Sequence, residues 1–185
     1  MTDTVALDDE ALPAPVPSSA LWLPASALNC YEGDALRRAW LLTPGLLTQR
    51  IREAAGPHFG MRLLAERRCG AEHIREIDMR CGETVWLFAH TRIPAATLRA
   101  QPWLGKIGDR TLGEALAERS DIERAPHRYA QFGADVWLVA RALSHARVSA
   151  STLWIRHSAF AVSGAPFDLY EVFMPKIGQT GGDAG

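Results

Sequence analysis

Two charged residues sit where strand alternation gives them apolar company. In "HIREIDM" (73–79) side chains two apart share a face, so Arg75 lies with His73, Ile77 and Met79. In "APFDLYEVFMP" (165–175) the same rule places Glu171 with Leu169 and Phe173, while Asp168, Tyr170 and Val172 face the other way. A charge in such company is costly unless it finds a partner or, for the acid, takes up a proton. A planar guanidinium can donate two parallel hydrogen bonds to a carboxylate and stays charged when partly buried. A carboxyl can give or accept a proton, or simply hold a hydroxyl in place. A third stretch, "TVWLFAHT", puts Val85, Leu87, Ala89 and Thr91 on one face, where Ala89 is small enough to leave room for a bound ring. The same residues also fit a structural Arg75–Glu171 ion pair, or an edge strand on which both charges reach water.

Other constellations are weaker. The six histidines are scattered, with no H-E-x-x-H and no paired spacing, so no metal site is expected. "GKIG" is neither a Walker loop nor a Rossmann fingerprint, and G-x-S-x-G is absent. Cys30, Cys69 and Cys81 are odd in number and widely spaced, which predicts reduced thiols in a cytoplasmic protein.

The elements that must position Arg75, Ala89 and Glu171 follow from periodicity. "GDALRRAWLL" reads as a helix capped by Asp34, and "TPGLLTQRIREAAG" as a second with Thr43 at the N-cap, Pro44 at the first helical position and Gly56 as its stop. Alternation then predicts strands in "HFGMRLLAERRCG", "HIREIDMRCGE" and "TVWLFAHTRIP". "AATLRAQPWLG" and "RTLGEALAERS" are helical, joined by "GKIGD"; the chain is then irregular to about Asp135. Strand character returns in "VWLVARAL", "TLWIRHSAFAV" and "FDLYEVFM", the last two forming a hairpin across "SGAP". Helices before and between adjoining strands favour an α+β fold, an antiparallel β-sheet with helices packed on one side.

A chain of 185 residues suits one domain. Residues 1–19, acidic and then rich in Ala, Pro and Ser, are expected to be a disordered extension, 20–176 a single domain and 177–185 a flexible tail. Twenty basic against 21 acidic residues, a net charge of −1, argue against a general polyanion or membrane-surface binder. No apolar run approaches the roughly 20 residues of a bilayer span, and no export signal is read.

Several pieces, in order, resemble the chorismate pyruvate-lyase family: "LLTQR", "IREI" followed by "VWLFAHTRIP", "LGKIGDRTLGEAL", and "WIRHSAFAVSGAPFDLYEVFMP". The likeness runs from about Trp40 to Pro175; the N-terminal extension and the longer segment between about Leu116 and Trp154 depart from it. It implies a chorismate lyase-like fold and a lyase that converts chorismate to 4-hydroxybenzoate and pyruvate, the first committed step of ubiquinone synthesis. Arg75 would hold the ring carboxylate with the backbone N–H groups of Leu112 and Leu47, Glu171 would meet the 4-hydroxyl, and Ala89 falls where the family has a small residue beside the ligand. Where members carry methionine at the flap, this chain has Leu47. Catalysis is then expected of Glu171 and Arg75, with no cofactor and no metal, since formation of an aromatic ring supplies the driving force. Whether Glu171 acts as acid, base or positioning group stays open, as does the cation for the enolpyruvyl carboxylate, for which Arg62 and Arg156 are options and Arg92, on the wrong face, is a poor one. Helices flanking "LLTQR" and "RTLGEAL" would act as flaps over the product. The partner expected is small-molecule chorismate, with no nucleic acid, no membrane span and a monomeric chain. Two alternatives stand beside this: a non-catalytic sensing domain for aromatic carboxylates, as in bacterial transcription regulators, though no basic helix-turn-helix pattern precedes Trp40, and a related enzyme forming 3-hydroxybenzoate.

Overall fold

Asp34 opens the first substantial helix by accepting a hydrogen bond from the Leu36 N–H at 2.9 Å. The structure, a computed structural model, describes residues 12–29 and 34–180; Cys30 lies outside them. In chain order the elements are β1 (Leu23–Pro24), α1 (Ala25–Leu28), α2 (Ala35–Leu41), α3 (Leu47–Ala55), β2 (Phe59–Cys69), β3 (Glu72–Cys81), β4 (Thr84–Pro94), α4 (Ala95–Ala100), α5 (Leu112–Ala117), β5 (Ile122–Arg124), β6 (Arg128–Gly133), α6 (Trp137–Ala146), β7 (Thr152–Val162) and β8 (Ala165–Phe173).

The strands form one antiparallel sheet in the order β1-β6-β7-β8-β4-β3-β2, with β5 also pairing β7. Chain-adjacent strands make the β2-β3-β4 meander and the β7-β8 hairpin, and β8 then inserts beside β4. That one long-range pairing brings Glu171 near Arg75: Ala89 is the Cα partner of both Ile77 and Glu171, and Thr91 of both Arg75 and Leu169.

Apolar positions on the face carrying Ile77, Leu87, Ala89 and Phe173 pack under α2 and α3 through Trp40, Leu41, Leu47 and Ile51. Further along the same face Phe160, Phe167 and Ile93 pack against Leu112 and Leu116 of α5. The α+β antiparallel architecture is thus as expected, but the helices are not all on one side: α2, α3 and α5 cover this face and α6 does not. The opposite face is covered by α6 and by Val16, over Phe88, Leu153, Ile155 and Val172.

Four local expectations are corrected. "VWLVARAL" is not a strand: its buried residues Leu138, Val139, Ala142 and Leu143 follow a helical repeat, and the β-branched and aromatic content had masked it. Helix α3 starts at Leu47 with Leu46 as N-cap, because the Thr43 hydroxyl donates to the Trp40 carbonyl at 2.6 Å and accepts from Arg50, so it is not free to cap. The stretch read as irregular contains β5 and β6, whose partners lie on β7 and are invisible locally. Pro15 and Val16, placed in the extension, are buried against the sheet, and the Pro15 carbonyl accepts from the Leu138 N–H. Gly56 ends α3 as expected, with a positive φ of 55° that a side chain would strain.

Candidate functional site

One cavity of about 210 Å³ lies between the sheet face and helices α3 and α5. Arg75, Leu112, Leu47, Ala89 and Glu171, the five residues singled out from the sequence, all line it. Its floor is built by alternation: Arg75, Ile77 and Met79 from β3, Ala89 and Thr91 from β4, Leu169 and Glu171 from β8, Arg156, Ser158 and Phe160 from β7. Arg75 and Glu171 stand two strands apart and one alternation step out of line, roughly 10 Å across the sheet and about 7 Å along it between Cα atoms. Ala89 lies between them, and its methyl leaves open the space a larger side chain would fill.

Arg75 is buried, 2% exposed. Its Nη2 donates to the carbonyls of Gly108 and Arg110, each at 2.7 Å, which ties the loop before α5 to the floor. The nearest acid, Glu66, is 3.8 Å from Nε, and Nε has no hydrogen-bond partner. Burial lowers the pKa of Arg75, opposed by the carboxylates of Glu66 and Asp109; an arginine starts so high that it keeps its charge. The expected alternative of an Arg75–Glu171 ion pair is not what forms.

Glu171 pairs instead with Arg156, its cross-strand neighbour on β7. Arg156 Nε and Nη2 donate to the two carboxylate oxygens at 2.6 and 2.9 Å, a bidentate fork on residues that are 3% and 6% exposed. Burial works to lower the Arg156 pKa, but Glu171 outweighs it and the pKa is raised. Arg156 Nη1 is buried without a partner.

Helix starts supply the roof. Thr111 and Glu114 form a capping box: the Thr111 hydroxyl accepts from the Glu114 N–H at 3.2 Å, and the Glu114 carboxylate accepts from the Thr111 N–H at 2.9 Å. This fixes Leu112 as the first residue of α5. Leu47 opens α3, where no side chain caps the terminus. The N–H of a first helical residue has no acceptor within its own helix. Arg52 of α3 and Glu114 of α5 pair at 2.5 Å across the two helices.

The options for a second cation divide cleanly. Arg92 pairs with Glu72, as its face required, and Arg62 with Asp78 at 3.0 Å; neither lines the cavity. Arg156 does, and its role as the partner of Glu171 was missed, although alternation in "TLWIRHSAF" places Trp154, Arg156, Ser158 and Phe160 on one face. His127 and Arg124 were missed outright. The His127 Nδ1 lies 2.7 Å from the Ser158 hydroxyl, and burial, followed by the charges of Arg156 and Arg124, pushes the ring pKa down to about 3, so it is neutral. Among the described residues no three His, Cys, Asp or Glu side chains group as metal ligands would, and no helix is long and apolar enough to cross a membrane.

An antiparallel sheet whose helix-covered face encloses an arginine and a carboxyl in one cavity is the arrangement the described residues form. The chain belongs to the chorismate lyase family, whose model matches residues 16–180. Relatives named "Probable chorismate pyruvate-lyase" include one from Nitrosospira multiformis, 31% identical over 76% of this chain and 87% of that one, and one from Thiobacillus denitrificans, 30% identical over 84% and 89%. Among solved structures, PhnF from Mycobacterium smegmatis aligns with a TM-score of 0.46 at 17% identity, covering 73% of this chain and 66% of that one.

Proposed function

We propose that this protein is a lyase that converts chorismate to 4-hydroxybenzoate and pyruvate, feeding ubiquinone synthesis in the cytoplasm. The observation that supports this best is that Arg75 and Glu171 line one cavity from separate strands without being paired to each other.

In the reaction the ring C–O bond breaks with its electron pair leaving on the enolpyruvate oxygen, the electron pair of the C–H bond on the hydroxyl-bearing carbon becomes ring π density, and a proton ends on the enolpyruvyl methylene, which becomes the methyl of pyruvate. The gain in aromaticity drives this, so the protein's work is to bind, orient and exclude water. In this reading Arg75 takes the ring carboxylate, its Nε without a hydrogen bond and Glu66 no nearer than 3.8 Å, with the N–H groups of Leu47 and Leu112 as further donors. The ring lies over Ala89, between Ile77 and Leu169. Both Glu171 oxygens already accept from Arg156, so what Glu171 offers the 4-hydroxyl is its remaining lone pairs: it acts as an acceptor that sets the ring's orientation and can receive a proton. Helices α3 and α5 close over the product, and their parting sets its release.

The test is incubation of pure protein with chorismate, followed by separation of hydroxybenzoate isomers and quantification of pyruvate. Equal amounts of 4-hydroxybenzoate and pyruvate are expected. The 3-isomer would assign a different regiochemistry, and tight 4-hydroxybenzoate binding with no turnover would assign a sensor.

A further inference from the structure

Three arginines line the cavity, Arg75, Arg124 and Arg156, against one acid, Glu171. The charge of Arg75 is offset by Glu66, its cross-strand neighbour, and by Asp109, neither of which lines the cavity. The remaining excess of positive charge collects at the other end, on the β7 side of Glu171. There Arg156 keeps a buried Nη1 donor with no partner, on a side chain held rigid by its fork to Glu171. Arg124, the Cα partner of Phe160, is exposed at the cavity's edge, and no ion-pair partner for it is found among the described residues. His127 stands between them, its ring fixed by Ser158. The low pKa of His127, due to burial and then to Arg156 and Arg124, reports the same unbalanced positive field.

A buried donor without an acceptor is costly, and such groups in folded proteins call for an explanation. We infer that Arg156 Nη1 and Arg124, with His127 as the wall between them, form a second carboxylate subsite that receives the carboxylate of the substrate's enolpyruvyl arm. The inference rests on the proposed function, because that arm is a property of chorismate. Its geometry follows from the ring: with the ring carboxylate on Arg75 and the hydroxyl on Glu171, the ether leaves from the carbon next to the hydroxyl. The arm therefore emerges beside Glu171, where Arg156 is the immediate cross-strand neighbour. The arrangement gives Arg156 two duties, orienting Glu171 through Nε and Nη2 and gripping the arm through Nη1. The tie to this end is cut when pyruvate forms, because the product has no arm.

The test compares chorismate with 4-hydroxybenzoate, which has the ring carboxylate and hydroxyl but no arm. Arg124→Gln, at an exposed position, is expected to raise the KM for chorismate about fivefold to tenfold, with the calorimetric Kd for 4-hydroxybenzoate within threefold of wild type and Arg124→Lys recovering most of the loss. Arg156→Lys cannot serve Glu171 and the arm together, and is expected to raise the KM by roughly tenfold to a hundredfold, the range for a lost charge-assisted hydrogen bond. Equal weakening of both ligands by Arg124→Gln, or of neither, overturns the subsite; that variant decides alone if Arg156→Lys does not fold. A wild-type protein that releases no pyruvate defeats the functional reading separately. In that case the calorimetric Kd for chorismate in the same variants still decides the subsite, and absence of chorismate binding overturns it.

Discussion

At the scale of single residues, Arg75 and Glu171 differ in what already holds them. Arg75 spends one nitrogen on two loop carbonyls and has no carboxylate within hydrogen-bond distance, which leaves it suited to an incoming anion. Arg75→Ala is expected to weaken 4-hydroxybenzoate binding by a hundredfold or more and Arg75→Lys to restore only part, because an ammonium lacks the planar fork; calorimetry reads both. Unchanged affinity in Arg75→Ala would remove the residue from the site. Glu171→Gln preserves shape and some hydrogen bonding while losing the proton acceptor. If proton transfer through Glu171 is obligatory, kcat should fall by about 10²- to 10⁴-fold; near-normal turnover would leave it a positioning role.

At the scale of elements, the two faces of the sheet use charge in opposite ways. On the cavity face, donors are left open. On the far face, α6 is clamped by fully paired charges: Glu76, wholly buried, accepts from Arg141 Nε at 2.7 and 2.9 Å and pairs with His90 at 3.1 Å, while Asp78 meets Arg62, Arg80 and His145. Burial acts to raise the Glu76 pKa, but the hydrogen bonds from His90 and Arg141 prevail and bring it from 4.5 down to about 2. A carboxylate whose pKa is depressed on folding stabilises the fold above its unfolded value and loses that contribution as pH falls through the folded one. About 3 kcal/mol should thus disappear between pH 4.5 and about 2, an order-of-magnitude figure. Urea denaturation across that range checks it. Arg141→Met should move the acid limb of the stability curve to higher pH, and an unmoved limb would show that the pair does not hold α6.

At the scale of the whole molecule, the cavity is roofed by elements from one end of the chain and the middle, and floored by strands from both halves, so ligand binding and global stability are linked. With 4-hydroxybenzoate at a hundred times its Kd, binding to the folded state alone should add about 2.7 kcal/mol. For a chain of this size that corresponds to roughly 5–10 °C in Tm, readable by thermal unfolding followed through tryptophan fluorescence. A Tm insensitive to the ligand would mean that the cavity does not take it.

The residue sequence by itself grouped Arg75, Ala89 and Glu171 with apolar neighbours, because strand alternation is a local geometric fact; it misplaced Val85, which the irregular β3–β4 pairing at Arg80 turns to the far face with Phe88. It also determined the start of α2, where the capping side chain of Asp34 is local. Only the tertiary structure decided that β8 inserts beside β4, that Glu171 takes Arg156 as its partner, and that α6, written in strand-like residues, lies as a helix across the far face. Pairing between strands distant in sequence and the choice among several possible ion partners are settled by packing of the whole sheet, and no local window of residues contains that information.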